Sequence, residues 1–368
     1  MTRTGILAAS IAATVALTSC SPPEQDGNET PEDASVPSNV TLVTPFSAGG
    51  GTDVWARFIA PHLQDNIESE TSFVVENREG GGGITGTNKF ARDGVTDGSE
   101  MTVSSGSIYL PQLLNQAEVE YDFTEMVPIL LNGTGGVIYT SSSTGIEDAA
   151  DLIEYDGDDL HYGGISATGN DLVTLLAMDV LDVKMKGTFG FEGRGPARLA
   201  VERGETNIDY QTTSAYKSQV EPMVEEGTAV PLVSFGVMED GEVVRDPAFP
   251  DIPTVEEIYE EAHGEAPSGI KYEAYLAALT AGQFYQKGLW VNAGTPDGLV
   301  EEFRAAAREL AGNEEFAAEA EDVLGGYPLI PGEEAQEDLL AAFEISDEVR
   351  QYTLDLLADQ YDTKVETK

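Results

Sequence analysis

The sequence predicts an α/β protein of two domains, each a mainly parallel sheet flanked by helices. Length is the first reason, because 368 residues leave room for about two domains of ~100–200 residues. The second is grammar: β-rich runs, glycine loops and amphipathic runs alternate, as a parallel sheet requires. The third is recurrence. Ala48-Gly49-Gly50-Gly51-Thr52-Asp53 is echoed 118 residues later by Ser166-Ala167-Thr168-Gly169-Asn170-Asp171: small residues, then a capping residue, then Asp. The repeat is degenerate, yet it points to two domains of one construction. With 41% hydrophobic and 8% aromatic residues the chain can bury a real core, which argues against wholesale disorder.

At the start, Arg3 is followed by an uncharged, mostly apolar run from Gly5 to Thr18. That run is shorter than the ~20 residues a membrane helix needs. It ends in Leu17-Thr18-Ser19-Cys20, which resembles the lipobox of bacterial lipoprotein precursors. The resemblance implies a leader over residues 1–19, cleavage before Cys20 and a lipid on its sulfur. Cys20 is the only cysteine, so the mature fold has no internal disulfide and no cysteine metal site. Residues 20–38 read as the lipidated cysteine and an acidic, proline-rich, solvated spacer. Fully extended at ~3.3 Å per residue, the spacer reaches up to about 60 Å. No later segment is long and apolar enough to span a bilayer. The chain is expected to be exported as a cell-envelope lipoprotein, periplasmic or on the outer face of the cytoplasmic membrane, tethered through Cys20.

The folded part is expected from residue 39. Val40 to Thr44 reads as a strand, and Val54, Trp55, Phe58, Ile59 and Leu63 recur at helical spacing after Thr52, a capping residue. Phe73 to Glu76 reads as the next strand, followed by Gly80 to Gly83 and a helix ending before Gly94. Leu160 to Gly163 is a strand, and Leu172, Leu175, Leu176 and Val180 mark the helix after it. Thr188 to Phe191 is a further strand. Pro196 at the first helical position and Gly204 at the stop bracket a helix over Ala197 to Arg203. Pro253-Thr254-Val255-Glu256-Glu257 opens a helix near a crossover. Gly298–Leu310, Glu314–Leu324, Glu334–Phe343 and Asp347–Leu357 are amphipathic with acidic outer faces, and read as packing rather than chemistry.

Sixty-six acidic residues, 66 against 19 Lys and Arg, give a formal net charge of −47. Nucleic acid and anionic membrane surfaces need a basic footprint, so neither is expected as a partner. An anionic surface this dense suits high salt, where the Debye length falls to ~3 Å at 1 M and self-repulsion is screened. Four glycine-led loops each end a strand and begin a helix. Helix N-termini present unpaired N–H groups and a positive dipole end, and glycine lets backbone approach a ligand closely. In open α/β sheets the binding crevice lies outside the carboxyl ends of the strands. Two such domains facing each other aim all four loops into one cleft, an anion site made of backbone without Lys or Arg.

Other chemistry is poorly represented. Gly81-x-Gly83-x-x-Gly86 matches the dinucleotide fingerprint only in letters. Asn77-Arg78-Glu79-Gly80 separates it from the strand, and no acidic residue ends a next strand ~20 residues on. No cofactor is expected. The three histidines, His62, His161 and His263, have no metal-ligand spacing, and His62 reads as a surface or edge residue of a helix. Gly164-Ile165-Ser166-Ala167-Thr168 lacks the final glycine of a nucleophile elbow. Tyr155-Asp156-Gly157-Asp158-Asp159 lacks the calcium-loop layout, so no metal is expected either.

Val43-Thr44-Pro45-Phe46-Ser47-Ala48-Gly49-Gly50-Gly51-Thr52-Asp53-Val54-x-Ala56-Arg57, followed by Val74-Val75-Glu76-Asn77-Arg78-x-Gly80-Gly81-Gly82-Gly83, resembles the solute receptors of tripartite tricarboxylate transporters, the Bug and TctC type. Phe191-x-Gly193-x-Gly195-Pro196-Ala197, Gly204-Glu205-Thr206-Asn207-Ile208-Asp209, Pro250-Asp251-Ile252-Pro253-Thr254-Val255 and Ala293-Gly294-Thr295-Pro296 are similar to later segments of that family. The resemblance covers roughly residues 40–360. It implies a type II periplasmic-binding clamshell that closes on one small carboxylate, often through ordered water, and delivers it to large and small integral-membrane permease subunits. It implies no enzyme activity.

Carried onto matching positions, the resemblance places the ligand among Phe46, Ser47, Gly49, Gly50, Gly51, Thr52 and Asp53, then Gly82, Gly83, Ile84 and Ser105. From the second domain come Ser166, Thr168, Gly169, Asn170, Gly193, Arg194 and Gly195, with Asp209 and Tyr210 on the cleft floor. Asp53 cannot attract an anion, so it is expected to order its loop or hold a water. Arg194 stands where the family commonly has small residues, and an Arg fork onto a second acidic group extends the ligand class to di- and tricarboxylates. The alternative for Arg194 is a pair with one of the many acids. Domain 1 is expected over 39–138 and 252–368, domain 2 over 139–251, with hinge crossings near 136–140 and 234–252. The chain is expected to be a monomeric, non-enzymatic solute-binding protein. A carboxylate sensor for a signalling protein and a secreted α/β enzyme remain as alternatives.

Overall fold

The computed structural model describes Met1 and residues 35–368 except Asp158 and Asp240. The expected leader, Cys20 and the spacer as far as residue 34 lie outside the described residues. Four strands come first: β1 (Asn39–Thr44), β2 (Ser72–Asn77), β3 (Glu100–Ser105) and β4 (Met126–Asn132). Five follow: β5 (Gly136–Ser141), β6 (His161–Gly164), β7 (Lys186–Phe189), β8 (Ile208–Thr212) and β9 (Ala229–Ser234). A small hairpin, β10 (Val237–Glu239) and β11 (Glu242–Val244), precedes β12 (Lys287–Asn292) and β13 (Leu329–Pro331). The helices that matter for the site are α1 (Gly51–Asp65), α2 (Ile84–Asp93), α3 (Gly106–Leu113), α4 (Ala149–Glu154), α5 (Asp171–Val180) and α6 (Arg194–Glu202).

The strands make two larger sheets. The first has the order β13-β4-β12-β3-β1-β2 and the second β7-β6-β8-β5-β9. In the first, β1 runs parallel to β2 and β3, while β12 lies antiparallel between β3 and β4. In the second, β6 runs parallel to β7 and β8, while β5 lies antiparallel between β8 and β9. Each sheet thus combines parallel βα units with strands in the opposite sense: β12 and the edge strand β13 in the first, β5 in the second. This bears out the α/β reading of two helix-flanked sheets.

Strand burial explains the near-continuous apolar runs. Val40 and Leu42 pack with Trp55, Ile59 and Leu63 on one face of the first sheet, while Val43 faces the larger core on the other. A parallel strand covered on both faces has no polar side to show, so alternation disappears from its sequence. The larger core continues into the second unit through Ile138, Tyr162, Leu172 and Leu176. Against it pack the later helices Val255–His263 and Ile270–Leu279, the first neighbouring α4 and α5, the second α5.

The two crossings between sheets differ. The outward one is three residues, Gly133 to Gly135, between β4 and β5. Thr134 N–H donates to the Gln283 carbonyl at 2.9 Å, and the Gly135 carbonyl accepts from Thr213 N–H at 3.2 Å. A side chain on Gly135 would run into the Tyr327 hydroxyl and the Asp246 carboxylate, which are themselves hydrogen-bonded. The return is long. After β9 the chain forms the hairpin and both later helices, and regains the first sheet only at Lys287. Its first helix opens as its sequence foretells: Thr254 accepts from Glu257 N–H and Glu257 from Thr254 N–H, a full capping box.

Three local expectations shift. The strand expected over Thr188–Phe191 runs from Lys186 to Phe189, because Gly190 takes φ +107° and ends the extended run. The helix expected from Ala197 begins at Arg194, which puts Pro196 in the first turn but not at its first position. Thr52 lies inside α1. Gly50 holds the cap position and offers no side chain.

Candidate ligand-binding cleft

A cavity of about 850 Å³ lies between the carboxyl ends of the parallel strands of the two sheets. The first unit contributes Phe46, Ser47, Gly50, Gly51 and Thr52 from the β1–α1 loop, Gly81, Gly82 and Ile84 from the β2–α2 loop, and Ser105 and Ser107 at the start of α3. The second contributes Ile165, Ser166, Thr168, Gly169, Asn170 and Asp171 before and at the start of α5, Glu192, Gly193 and Arg194 at the start of α6, and Tyr210 and Thr212 from β8. Five helices therefore begin at the cavity, three from the first unit and two from the second. Their first-turn N–H groups have no intrahelical acceptor and carry the positive end of the helix dipole. A carboxylate fits such a surface without any cationic side chain.

Two matching carboxylates hold the loops in place. Asp53, buried in the first turn of α1, accepts from Gly49 N–H at 2.8 Å, from Arg57 Nε at 3.0 Å and from Asn77 Nδ2 at 2.8 Å. Asn77 Nδ2 also donates to the Phe46 carbonyl at 2.9 Å. The Arg57 hydrogen bond in particular holds the Asp53 carboxyl down at about 2, so it stays ionised. Asp171, at the start of α5, accepts from Ile165 N–H at 2.8 Å and Ser166 N–H at 2.9 Å. The two aspartates of the echoed sequence thus do the same work: each folds back and ties the preceding loop to its helix. Arg57 and Asn77, both in the quoted motifs, serve the loop from behind.

The β2–α2 loop depends on glycine. Gly80, Gly81, Gly82 and Gly83 all have positive φ, a run that side-chain-bearing residues rarely adopt. At Gly83 a Cβ would also meet Ile108 and Phe46 at 2.7 Å. That use of the run replaces the dinucleotide reading: the glycines shape a turn that lets Phe46 close over it.

Arg194 is committed elsewhere. Its guanidinium pairs with Asp171 and Asp209, donates to the Tyr162 hydroxyl at 3.0 Å and to the Gly163 carbonyl at 3.1 Å, and lies 4.4 Å above the Tyr210 ring. Its side chain is 15% exposed. Both terminal nitrogens are satisfied by protein, so the fork onto a second ligand carboxylate gives way to a buried network with two acids. Burial pushes the Asp209 carboxyl up, against the pull of Arg194, and Gln211 and Tyr139 hydrogen-bond to it.

Of the sequence-derived positions, Gly49, Asp53, Gly83, Gly195 and Asp209 do not line the cavity: Asp53, Gly83 and Asp209 are buried beside it, Gly49 and Gly195 exposed. Asp53 and Asp209 are there as hydrogen-bond acceptors, Gly49 and Gly83 as turn residues. The others line the cavity. Residues absent from the expected set also reach it: Ser107, Gln116, Glu118, Glu192, Thr212, Gln286 and Lys287. Lys287 corrects the expectation of a wall without a lysine. Its signal in the sequence is a lone Lys inside an otherwise uncharged stretch, Phe284 to Asn292. The histidines stay outside. His62 packs edge-on against Phe58 and Phe316, and His263 stacks on Tyr259. Among the described residues no group of acids, His or Cys could hold a metal ion.

No family model matches the chain. A 96-residue stretch is 36% identical to protein BugT of Bordetella pertussis, spanning 26% of this chain and 28% of BugT. Over 222 residues it is 21% identical to the UPF0065 protein of the tcbD–tcbE intergenic region of a Pseudomonas strain, 59% of this chain and 62% of that one. The chain thus matches these curated relatives over less than two thirds of their length. Solved structures match far more of it. The periplasmic binding protein BugD superposes with a TM-score of 0.61 at 18% identity, over 90% of this chain and 99% of BugD. A TctC solute-binding protein from Polaromonas gives 0.63 at 18%, over 87% and 97%. An R. palustris protein solved with adipate gives 0.64 at 22%, over 86% and 98%. This is the fold of the Bug and TctC receptors. The resemblance expected from the β1–α1 and β2–α2 motifs is borne out at the level of fold. The cavity lies between two sheet units whose loops face each other, and no helix among the described residues is long and apolar enough to cross a membrane.

Proposed function

We propose that this protein is an extracytoplasmic solute receptor of the Bug and TctC family that captures a small organic carboxylate and hands it to a membrane permease. The observation that carries the reading is the convergence of five helix N-termini, from both sheet units, on one 850 Å³ cavity. Such a wall suits an anion, and closure about the short Gly133–Gly135 crossing and the long return would bury it. Two domains hinged at the Gly133–Gly135 crossing and along the long return belong to this proposal, as do the monomeric state, the lipid tether at Cys20 and the permease subunits. Two relatives in fold support the ligand class: the R. palustris protein solved with adipate and MatC of Rhodopseudomonas palustris, solved with malate. A thermal-shift screen of small carboxylates in concentrated salt tests the reading. A ligand at 100-fold above its dissociation constant adds about 2.7 kcal/mol, enough to raise the melting temperature by a few degrees. A flat response across mono-, di- and tricarboxylates would refute it.

A further inference from the structure

Lys287 is the one cationic side chain on the cleft wall that the protein does not use. It opens β12, whose register sets it opposite Ser105 of β3 on one side and Asn132 of β4 on the other. Because β12 runs against β3, its first residue falls at the carboxyl end of β3, where Ser105 and Ser107 begin α3. Lys287 and these serines line the same cavity. Its ammonium has no hydrogen-bond acceptor and no ion-pair partner among the described residues. Glu118 and Glu192 line the cavity without pairing to it. Arg194, the other cation on the wall, is held by Asp171 and Asp209.

A half-buried cation with no protein partner gains more from an anion that reaches it than a fully exposed one does. The helix N-termini already satisfy one carboxylate with neutral donors, so the lysine is surplus to a monocarboxylate. We propose that Lys287 is the residue that selects the ligand's second anionic group, pairing with a carboxylate whose partner at the other end rests on the helix N-termini. This rests on the receptor reading above. A flexible ammonium is a point charge rather than a planar fork, so it follows ligands of several chain lengths without demanding one geometry.

The test is calorimetric titration of the wild type, Lys287→Met, Lys287→Gln and Lys287→Arg with succinate, adipate and hexanoate. Thermal melts of each variant confirm folding, and two neutral replacements guard against a single bad fit. The wild type is expected to bind a dicarboxylate at least about ten-fold more tightly than hexanoate. Both neutral variants should lose about ten- to hundred-fold for that dicarboxylate and little for hexanoate, and Lys287→Arg should recover part of the loss. Unchanged dicarboxylate affinity in the neutral variants, or equal losses for dicarboxylate and hexanoate, would overturn the assignment while leaving the receptor reading intact. Failure of the wild type to bind any carboxylate would overturn both.

Discussion

Arg194 carries the largest single-residue consequence. Removing it leaves Asp171 and Asp209 facing each other in a buried space, and breaking a buried ion pair from one side costs about 3–5 kcal/mol. Arg194→Ala is therefore expected to lower stability by that order in denaturant titration, and Arg194→Lys to rescue little, since one ammonium cannot reach four acceptors in a planar array. A loss under about 1 kcal/mol would contradict the network. Lys287 makes a prediction of the opposite sign. Burial lowers its folded-state value to about 8 from 10.5, so the unfolded chain binds the proton more tightly. Without ligand the penalty of the buried charge is complete below pH 8, and it is relieved as pH rises from about 8 to 10.5. Lys287→Met should thus stabilise the ligand-free protein at pH 7, and the gain should shrink by pH 10, as read by thermal melts. The other charges on that wall, Glu118, Asp171, Glu192 and Arg194, are common to both proteins. For Arg194 the sequence offered an acid pair as the alternative without naming the acids, and for Lys287 it offered nothing. Arg194 sits in a motif where an open fork is a fair reading, and only packing brings residues 171 and 209 to it. Lys287 belongs to no motif. Asp53 was legible, because a carboxylate in a helix first turn beside glycines has little else to do than accept their N–H groups.

The elements were legible where local chemistry alone decides them. The strand–glycine loop–helix units at β1–α1 and β2–α2, the capping box at Thr254 and the late amphipathic helices all stand close to where the pattern puts them. The boundaries that moved are set by the positive φ of Gly190 after β7 and by the extended N-cap at Gly193 before α6. Close packing between the units depends on glycine as well. At Gly106, in the first turn of α3, a Cβ would run into the Asn170 side chain from the other side of the cleft and approach Gly282 Cα at 2.9 Å. Gly106→Ala is expected to cost about 1–3 kcal/mol by overpacking and to weaken ligand binding by holding the units apart. Gly195→Ala, where a Cβ meets nothing within 4 Å, is the matched control and should leave the melting temperature within a degree or two. Equal effects of the two substitutions would show that the close approach at α3 does not matter.

For the whole molecule, charge and site act on different lengths. The net charge of −47 acts across the surface and is screened within ~3 Å at 1 M salt. The helix ends and Lys287 act at contact distance on the cavity wall. An acidic protein can therefore hold a small anion while repelling anionic polymers. The composition was enough to read the second half of that statement, and the glycine loops the first. What the sequence withheld was the identity of the surplus cation and the length of the return crossing, since both depend on where a strand 150 residues or so downstream rejoins the first sheet. The account's central claim is that this cleft recognises the negative charge of a small carboxylate. Calorimetric titration of the wild type in concentrated salt, comparing a dicarboxylate that binds in the screen with its diamide of equal size, tests it most directly. The account predicts saturable one-to-one binding of the acid and at least about a hundred-fold weaker binding of the amide. Equal affinity for acid and amide, or no saturable binding of any acid, would contradict it.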